Sequence, residues 1–344
     1  MTRNATIIGD GAMATLCSLL LHHNGWSVRL YTCFEDHARQ LRDYRENRRF
    51  LPDVEIPEDI EIVTSPDLAF ESPEWAVSAV PTQYLRGWVA PLREHIDDDL
   101  PIVSVTKGIE NDTLLRPTQI LSDALHGGDE LASFDSPPLN RKRMAVLSGP
   151  CIAPEVAAKL PATVVIASDD EALAEDVQQA FSLPWFRAYS STDRVGVEIA
   201  AATKNVIAIA AGIVDGMQLG DNAKAALLAR GLAEITRLGE SLGAKAETFA
   251  GLAGMGDLVT TCISPHGRNR SFGERIGQGK SVHEALSATQ SVVEGVATTR
   301  SVMDLAARQG VEMPITRAIS RILFDGKDVK DAIHDLMTRP LKAE

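Results

Sequence analysis

Three groups of residues have the types and spacing to do chemistry. Lys204-Asn205 sits in a run from Ile199 to Ile213 that is mostly alanine and branched aliphatic residues. A lysine there either stretches its ammonium to solvent or is held against a group that needs it. Desolvation disfavours its charged form, whereas a nearby carboxylate favours it, so a buried lysine can act as a proton donor near neutral pH. Asp257, in the glycine-bearing stretch Gly251–Leu258, reads as a carboxylate on a tight loop, able to orient such an ammonium. Arg268-Asn269 opens a helix after Ser264-Pro265-His266-Gly267, where a planar guanidinium and an amide suit an anionic oxygen cluster; the plain alternative is a surface ion pair.

The N-terminus carries a phosphate-cradling pattern. The strand Ala5-Thr6-Ile7-Ile8 ends in Gly9-Asp10-Gly11-Ala12-Met13-Ala14, helix formers follow to His23, and Ser27–Thr32 alternates as a second strand. GxGxxA between strand and helix is the dinucleotide fingerprint. Gly9 permits the tight turn, Gly11 the close approach of backbone to a pyrophosphate, and Ala14 close packing of helix on strand, while the helix N-terminus offers unpaired N–H groups. Asp10 puts a carboxylate beside that pyrophosphate. The second strand ends in Thr32-Cys33-Phe34, with acids only at Glu35 and Asp36, so the acid that would select NAD over NADP is not at its usual place and the choice stays open.

These residues need elements to position them. Further strands read at Ile60–Val63, Ala76–Val80, Ile102–Thr106, Met144–Leu147, Ala162–Ala167 and Trp185–Tyr189, alternating with helical segments such as Pro81–His95, which implies a parallel sheet. Lys107 directly follows one of these strands, at the carboxyl edge where such sheets bind ligands, although an ordinary surface lysine also fits the position. Arg39–Arg49 reads as one basic helical run, either a solvated face or one that turns Arg48 or Arg49 toward an anion. Gly127–Asn140 reads as a loop. Beyond Asp193 only helical patterns follow, at 194–214, 220–242, 246–253, 270–278, 281–287, 294–309, 314–323 and 328–336. The expected architecture is α/β: a Rossmann-like doubly wound sheet over residues 1–192 and an all-helical domain over 193–344, with Lys204 in its first helix.

Composition bounds the function. The chain has 344 residues, 44% of them hydrophobic and 24% charged, as in ordinary globular enzymes, and its net charge of −13 argues against a general nucleic-acid binder. Cys17, Cys33, Cys151 and Cys262 form no CxxC pair and, with the histidines, no metal-ligand spacing, so no metal and a reducing compartment are expected. The N-terminus runs into a strand with no room for a signal peptide, and the 199–213 run is shorter than the ~20 residues of a membrane span. These features point to the cytoplasm, with no membrane span.

Taken in order, Asn47–Asp53, Thr106-Lys107-Gly108, Ser148-Gly149-Pro150, Lys204–Ala208, Gly254–Leu258, Arg268–Gly273, Val292–Gly295 and Val311–Ile315 closely resemble the NAD(P)-dependent glycerol-3-phosphate dehydrogenases of the bacterial type. The resemblance covers nearly the whole chain. It implies reversible hydride transfer between NAD(P)H and dihydroxyacetone phosphate, giving sn-glycerol 3-phosphate for phospholipid synthesis, in a homodimer. It assigns catalysis to Lys204 with Lys107 and Asp257. Gly149, Cys151, Gly267, Arg268 and Asn269, beside those three, would line the phosphorylated substrate. Gly9, Gly11, Ala12, Met13, Ala14, Cys33, Lys107, Ala153, Arg268, Val292 and Glu294 would meet the cofactor. The chain departs from the family at Asp10 (usually alanine or serine), Met13-Ala14 (an aromatic residue and glycine), Cys151 (a hydroxyl residue) and Gly267 (serine). These departures bear on affinity and cofactor choice more than on the reaction. Two rival readings are another two-domain dehydrogenase acting on a hydroxy or sugar acid through a similar lysine-asparagine pair, and a cofactor-sensing relative without activity.

Overall fold

The computed structural model describes residues 3–127, 132–135, 143–289 and 292–341, so most of the expected 127–140 loop lies outside the described residues. The chain divides into two compact units, Met1–Glu198 and Ile199–Glu344. Sequence placed the boundary at 192/193.

The strands of the first unit are β1 (Asn4–Ile8), β2 (Ser27–Tyr31), β3 (Glu46–Asn47), β4 (Leu51–Glu55), β5 (Glu61–Val63), β6 (Trp75–Ser78), β7 (Ile102–Ser104), β8 (Met144–Ser148), β9 (Ala162–Ser168) and β10 (Phe186–Ser191). Eight form one sheet in the order β10-β9-β8-β7-β6-β1-β2-β5. Alternate residues serve opposite faces, as a pleated strand requires. Ile7, Val77, Val103 and Ala145 join Leu16, Leu20, Leu173 and Val177 in one core, while Ile8, Ala76, Ile102 and Met144 join Leu85, Val89, Ile120 and Leu121 in another. The sheet therefore has helices on both faces, the doubly wound arrangement.

Two features of this unit correct the sequence reading. The sheet is parallel from β5 to β8, but β9 pairs with β8 antiparallel and β10 follows β9. The only helix between β8 and β9, Ala153–Ala157, has five residues. At about 1.5 Å per residue it is too short to carry the chain back along a strand for a parallel crossover. The basic run is also not one helix: Glu35–Tyr44 is helical, Arg45 ends it in the left-handed region at φ 48°, and β3 and β4 form a hairpin. Asn47 anchors that hairpin, fully buried, with Nδ2 donating to Asp10 O at 2.9 Å and Thr15 Oγ1 at 2.8 Å.

The second unit is helical, with no strand among the described residues. Its first helix belongs to Arg194–Gly216, which begins in the first unit. That helix is long and apolar enough to cross a bilayer by length and composition, but 94% of its apolar window is buried inside the protein. It is longer than the apolar run suggested and reads as a core helix. Its partner is Arg268–Gly277, and the two backbones approach through four glycines. A Cβ on Gly212 would lie 1.9 Å from Arg270 O, on Gly216 2.2 Å from Glu274 O, on Gly273 2.0 Å from Ile209 O and on Gly277 2.4 Å from Ile213 O. Gly251–Leu258 is not the expected loop: Leu252–Gly256 forms a π-helical turn that runs into the helix Asp257–Ile263. Gly254 serves packing there, since a Cβ would fall 2.1 Å from the Phe249 carbonyl oxygen.

Candidate functional site

In the second unit the long helix presents Lys204 and Asn205 side by side, each 5% exposed. Lys204 does not snorkel. Its Nζ donates to Asp257 Oδ1 and, at 2.7 Å, to Thr261 Oγ1, while Thr261 Oγ1 donates to the same carboxylate oxygen at 3.3 Å. Asp257, 2% exposed, is the first residue of the helix that leaves the π turn, where a carboxylate complements the helix dipole. Thr261 was missed by sequence reasoning. Its spacing of four from Asp257 becomes a signal only once Asp257 is known to open a helix, where residues four apart share a face.

Asn205 turns to a second chain of contacts. Its Oδ1 accepts from Asn269 Nδ2 at 3.0 Å, and Asn269 Oδ1 accepts from the Gly295 N–H at 2.9 Å. Gly295 has to be small: a Cβ there would meet Asn269 Oδ1 at 2.7 Å and Asn205 O at 2.8 Å. Val292 and Glu294 flank this point, the first exposed and the second starting the helix Glu294–Gln309.

Arg268 is the first residue of its helix, after Gly267 as N-cap. Its side chain is exposed and has no hydrogen bond or ion pair among the described residues, so its fork is free for an anion. Gly267 has a steric cause, because a Cβ would lie 2.9 Å from Thr261 O. Glycine there lets the start of the Arg268 helix lie close to the Thr261 backbone. Cys262, fully buried nearby, has its thiol pushed up to about 12 by burial and plays no part as a nucleophile.

The first unit holds the other residues. Lys107 follows β7, and its Nζ donates to Gly149 O at 3.2 Å. Gly149 has φ 142°, and a Cβ there would meet Val164 Cα at 3.0 Å. Cys151 and Ala153, buried, follow at the short helix after β8, in the same core as Cys17.

The turn after β1 fits a dinucleotide. Gly9 has φ 129°, and a Cβ would meet Ala79 O at 3.0 Å and Ala14 Cβ at 3.6 Å. Gly11 caps the helix Ala12–His23 with no side chain bound to the first N–H groups, and a Cβ on it would meet nothing within 4 Å. Open space over free N–H donors is what a pyrophosphate needs. Ala12 and Met13 are partly exposed there, and Ala14 is fully buried. Asp10 behaves differently from expectation: its Oδ2 turns to the tip of β2, accepting from Thr32 Oγ1 at 2.8 Å and His37 Nδ1 at 2.9 Å. Cys33 is exposed beside it.

With this geometry in place, comparison with known proteins gives one answer. The family model described as NAD-dependent glycerol-3-phosphate dehydrogenase N-terminus matches residues 4–174, and its C-terminus counterpart matches 193–334. The chain is 45% identical to a glycerol-3-phosphate dehydrogenase [NAD(P)+] of Corynebacterium glutamicum (strain R), over 99% of each chain. It is 46% identical to one from Chlorobium phaeobacteroides (strain BS1), over 98% of each. The crystal structure of glycerol-3-phosphate dehydrogenase from Coxiella burnetii superposes with a TM-score of 0.91 at 34% identity, covering 98% of this chain and 99% of that one. The chain belongs to the NAD-dependent glycerol-3-phosphate dehydrogenase family.

Proposed function

We propose that the chain catalyses the reversible reduction of dihydroxyacetone phosphate to sn-glycerol 3-phosphate with NAD(P)H. The observation that carries this reading is the buried Lys204–Asp257–Thr261 cluster, beside an Asn205–Asn269 pair, in a chain of this family. The bound nicotinamide supplies or accepts the hydride. Everything else falls to side chains. As negative charge develops on the substrate carbonyl oxygen, the Lys204 ammonium stabilises it and gives up a proton; in the reverse direction the neutral amine takes the proton from the alcohol.

Asp257 and Thr261 each accept a hydrogen bond from the Nζ and so fix where the ammonium stands. Arg268, exposed at a helix N-terminus, and Asn269 grip the phosphate, whose binding energy positions the carbonyl. Lys107, Gly149, Cys151 and Gly267 are the other residues we assign to the substrate, the last two where hydroxyl side chains are usual. The cofactor rests on Gly9, Gly11, Ala12, Met13 and Ala14, with Cys33, Lys107, Ala153, Arg268, Val292 and Glu294 as further contacts.

The enzyme acts in the cytoplasm as a homodimer that feeds phospholipid synthesis and binds no nucleic acid. Four cysteines without a disulfide support the compartment, and the net charge of −13 supports the last point. The test is nicotinamide absorbance with dihydroxyacetone phosphate, run in parallel with NADH and NADPH. Oxidation that needs the phosphorylated ketone is expected; no oxidation of either cofactor, or equal use of unphosphorylated dihydroxyacetone, overturns the reading. Light scattering of the same preparation checks the dimer.

A further inference from the structure

We propose that Asp10 makes this enzyme select NAD(H) over NADP(H), by supplying from the glycine turn the carboxylate that doubly wound sheets ordinarily carry at the tip of β2. The inference rests on the proposed reaction only in needing a nicotinamide dinucleotide to bind.

The position of an acid against the adenosine ribose decides this choice: it accepts from the ribose hydroxyls and repels a 2′-phosphate. The tip of β2 here is Thr32-Cys33-Phe34, with no charge of its own. Asp10 lies between the two glycines of the turn, and its carboxylate is drawn to that tip by Thr32 Oγ1 at 2.8 Å, from the residue that directly follows β2. His37, in the helix after the tip, holds the same oxygen at 2.9 Å. The backbone of Asp10 is pinned as well, its carbonyl accepting from Asn47 Nδ2. Its second carboxylate oxygen, Oδ1, accepts no hydrogen bond among the described residues. A fixed carboxylate with one oxygen left over is an acceptor for ribose hydroxyls.

The surroundings agree in sign. The thiol of Cys33, only partly covered, is pushed up first by that covering and then by the Asp10 charge beside it. A 2′-phosphate needs a cation there, typically an arginine fork. The arginines of the 39–49 run have other partners: Arg39 has Asp36, Arg42 has Glu35 and Ile62 O, Arg45 has Ile56 O and Glu58, Arg48 has Glu46, and Arg49 lies over the Phe50 ring. Among the described residues His37 is the one basic side chain turned to the Asp10 carboxylate.

The test is calorimetric titration of the full-length protein with ADP-ribose and with 2′-phospho-ADP-ribose, at one fixed pH, which reads binding without turnover. Wild type is expected to bind ADP-ribose at least ~10-fold more tightly, a modest figure for like charges brought together. Asp10→Ser should bring the two affinities to within about 3-fold, and Asp10→Asn, which keeps the shape and loses the charge, should do the same. Equal binding by wild type, or a preference for the 2′-phosphate, overturns this assignment alone. A wild-type preference that survives in Asp10→Asn overturns it too, and the wild-type ratio decides should either variant fail to fold. Binding of neither compound overturns this assignment together with the proposed reaction.

Discussion

Lys204 and Asp257 are as buried as core residues, so a change at either is read in stability as well as in rate. Lys204→Ala removes the proton donor and leaves a carboxylate in the interior without its ammonium. Turnover should fall by ~10²–10⁴, and stability by about 3–5 kcal/mol, the cost of breaking a buried pair. Lys204→Ala/Asp257→Ala removes both charges and should regain part of the stability but none of the turnover. Initial rates beside urea denaturation separate the two effects, and a double variant that regained turnover would remove Lys204 from the chemistry. Arg268, with no partner to lose among the described residues, should behave differently. Arg268→Ala is expected to raise KM for dihydroxyacetone phosphate by ~10-fold or more while leaving the melting temperature in place; an unchanged KM would remove the phosphate role. The motif residues were legible because a lysine in an alanine run, or an arginine before a helix, is an anomaly within a single stretch of chain. Thr261 was not, since a threonine in a helix is unremarkable until the partner across from it is known.

The helices Arg194–Gly216 and Arg268–Gly277 set how accurately those side chains meet. Asn205 and Asn269 can exchange a hydrogen bond because Gly212, Gly216, Gly273 and Gly277 let the two backbones touch. What a Cβ at Gly273 would strike is a backbone oxygen, which cannot swing aside as a side chain does. Gly273→Ala should therefore separate the helices, costing about 1–3 kcal/mol or more, and raise KM for the phosphorylated substrate without weakening dinucleotide binding. Gly87, inside the helix Thr82–Val89, has nothing within 4 Å of a Cβ and makes the control. Gly87→Ala should stabilise by about 0.5–1 kcal/mol through helix entropy alone. Thermal melts of both variants check the pair, and like signs would refute the close-approach account. Both glycine pairs stand four apart in the sequence, but which helix they face is a tertiary fact. The same limit explains Gly251–Leu258, whose glycines look like a loop until Phe249 shows that they are there for packing.

At the scale of the whole chain, sequence periodicity located the sheet and the shift to helices, since both are written in local patterns repeated many times. The reversal at β9 was not visible, because it depends on how far a five-residue helix can carry the chain. The β3–β4 hairpin was hidden by its arginines, whose helix propensity is overridden where Asn47 is buried under the glycine turn. Contacts between distant segments are likewise invisible in sequence, and one of them makes acid stability predictable. Arg3, just before β1, donates Nη1 and Nη2 to the two oxygens of Asp176 at 2.5 and 2.8 Å, closing the N-terminus onto the helix Glu171–Phe181. These hydrogen bonds are the largest cause holding the Asp176 carboxyl below its ordinary value of 3.8, against a smaller effect of burial. A carboxyl with a depressed value adds stability that is present above the unfolded value and is lost as pH falls through the folded one. The pair is more than a third exposed, so Asp176→Asn should cost only about 1 kcal/mol or less near neutrality. The gap between wild type and variant should then close as pH drops below about 4, where both unfolded chains carry a neutral side chain at that position. Urea denaturation at about pH 7 and about pH 3 measures the gap at each end. A gap that stayed constant or widened in acid would mean that Asp176 stabilises the fold through packing and not through its charge.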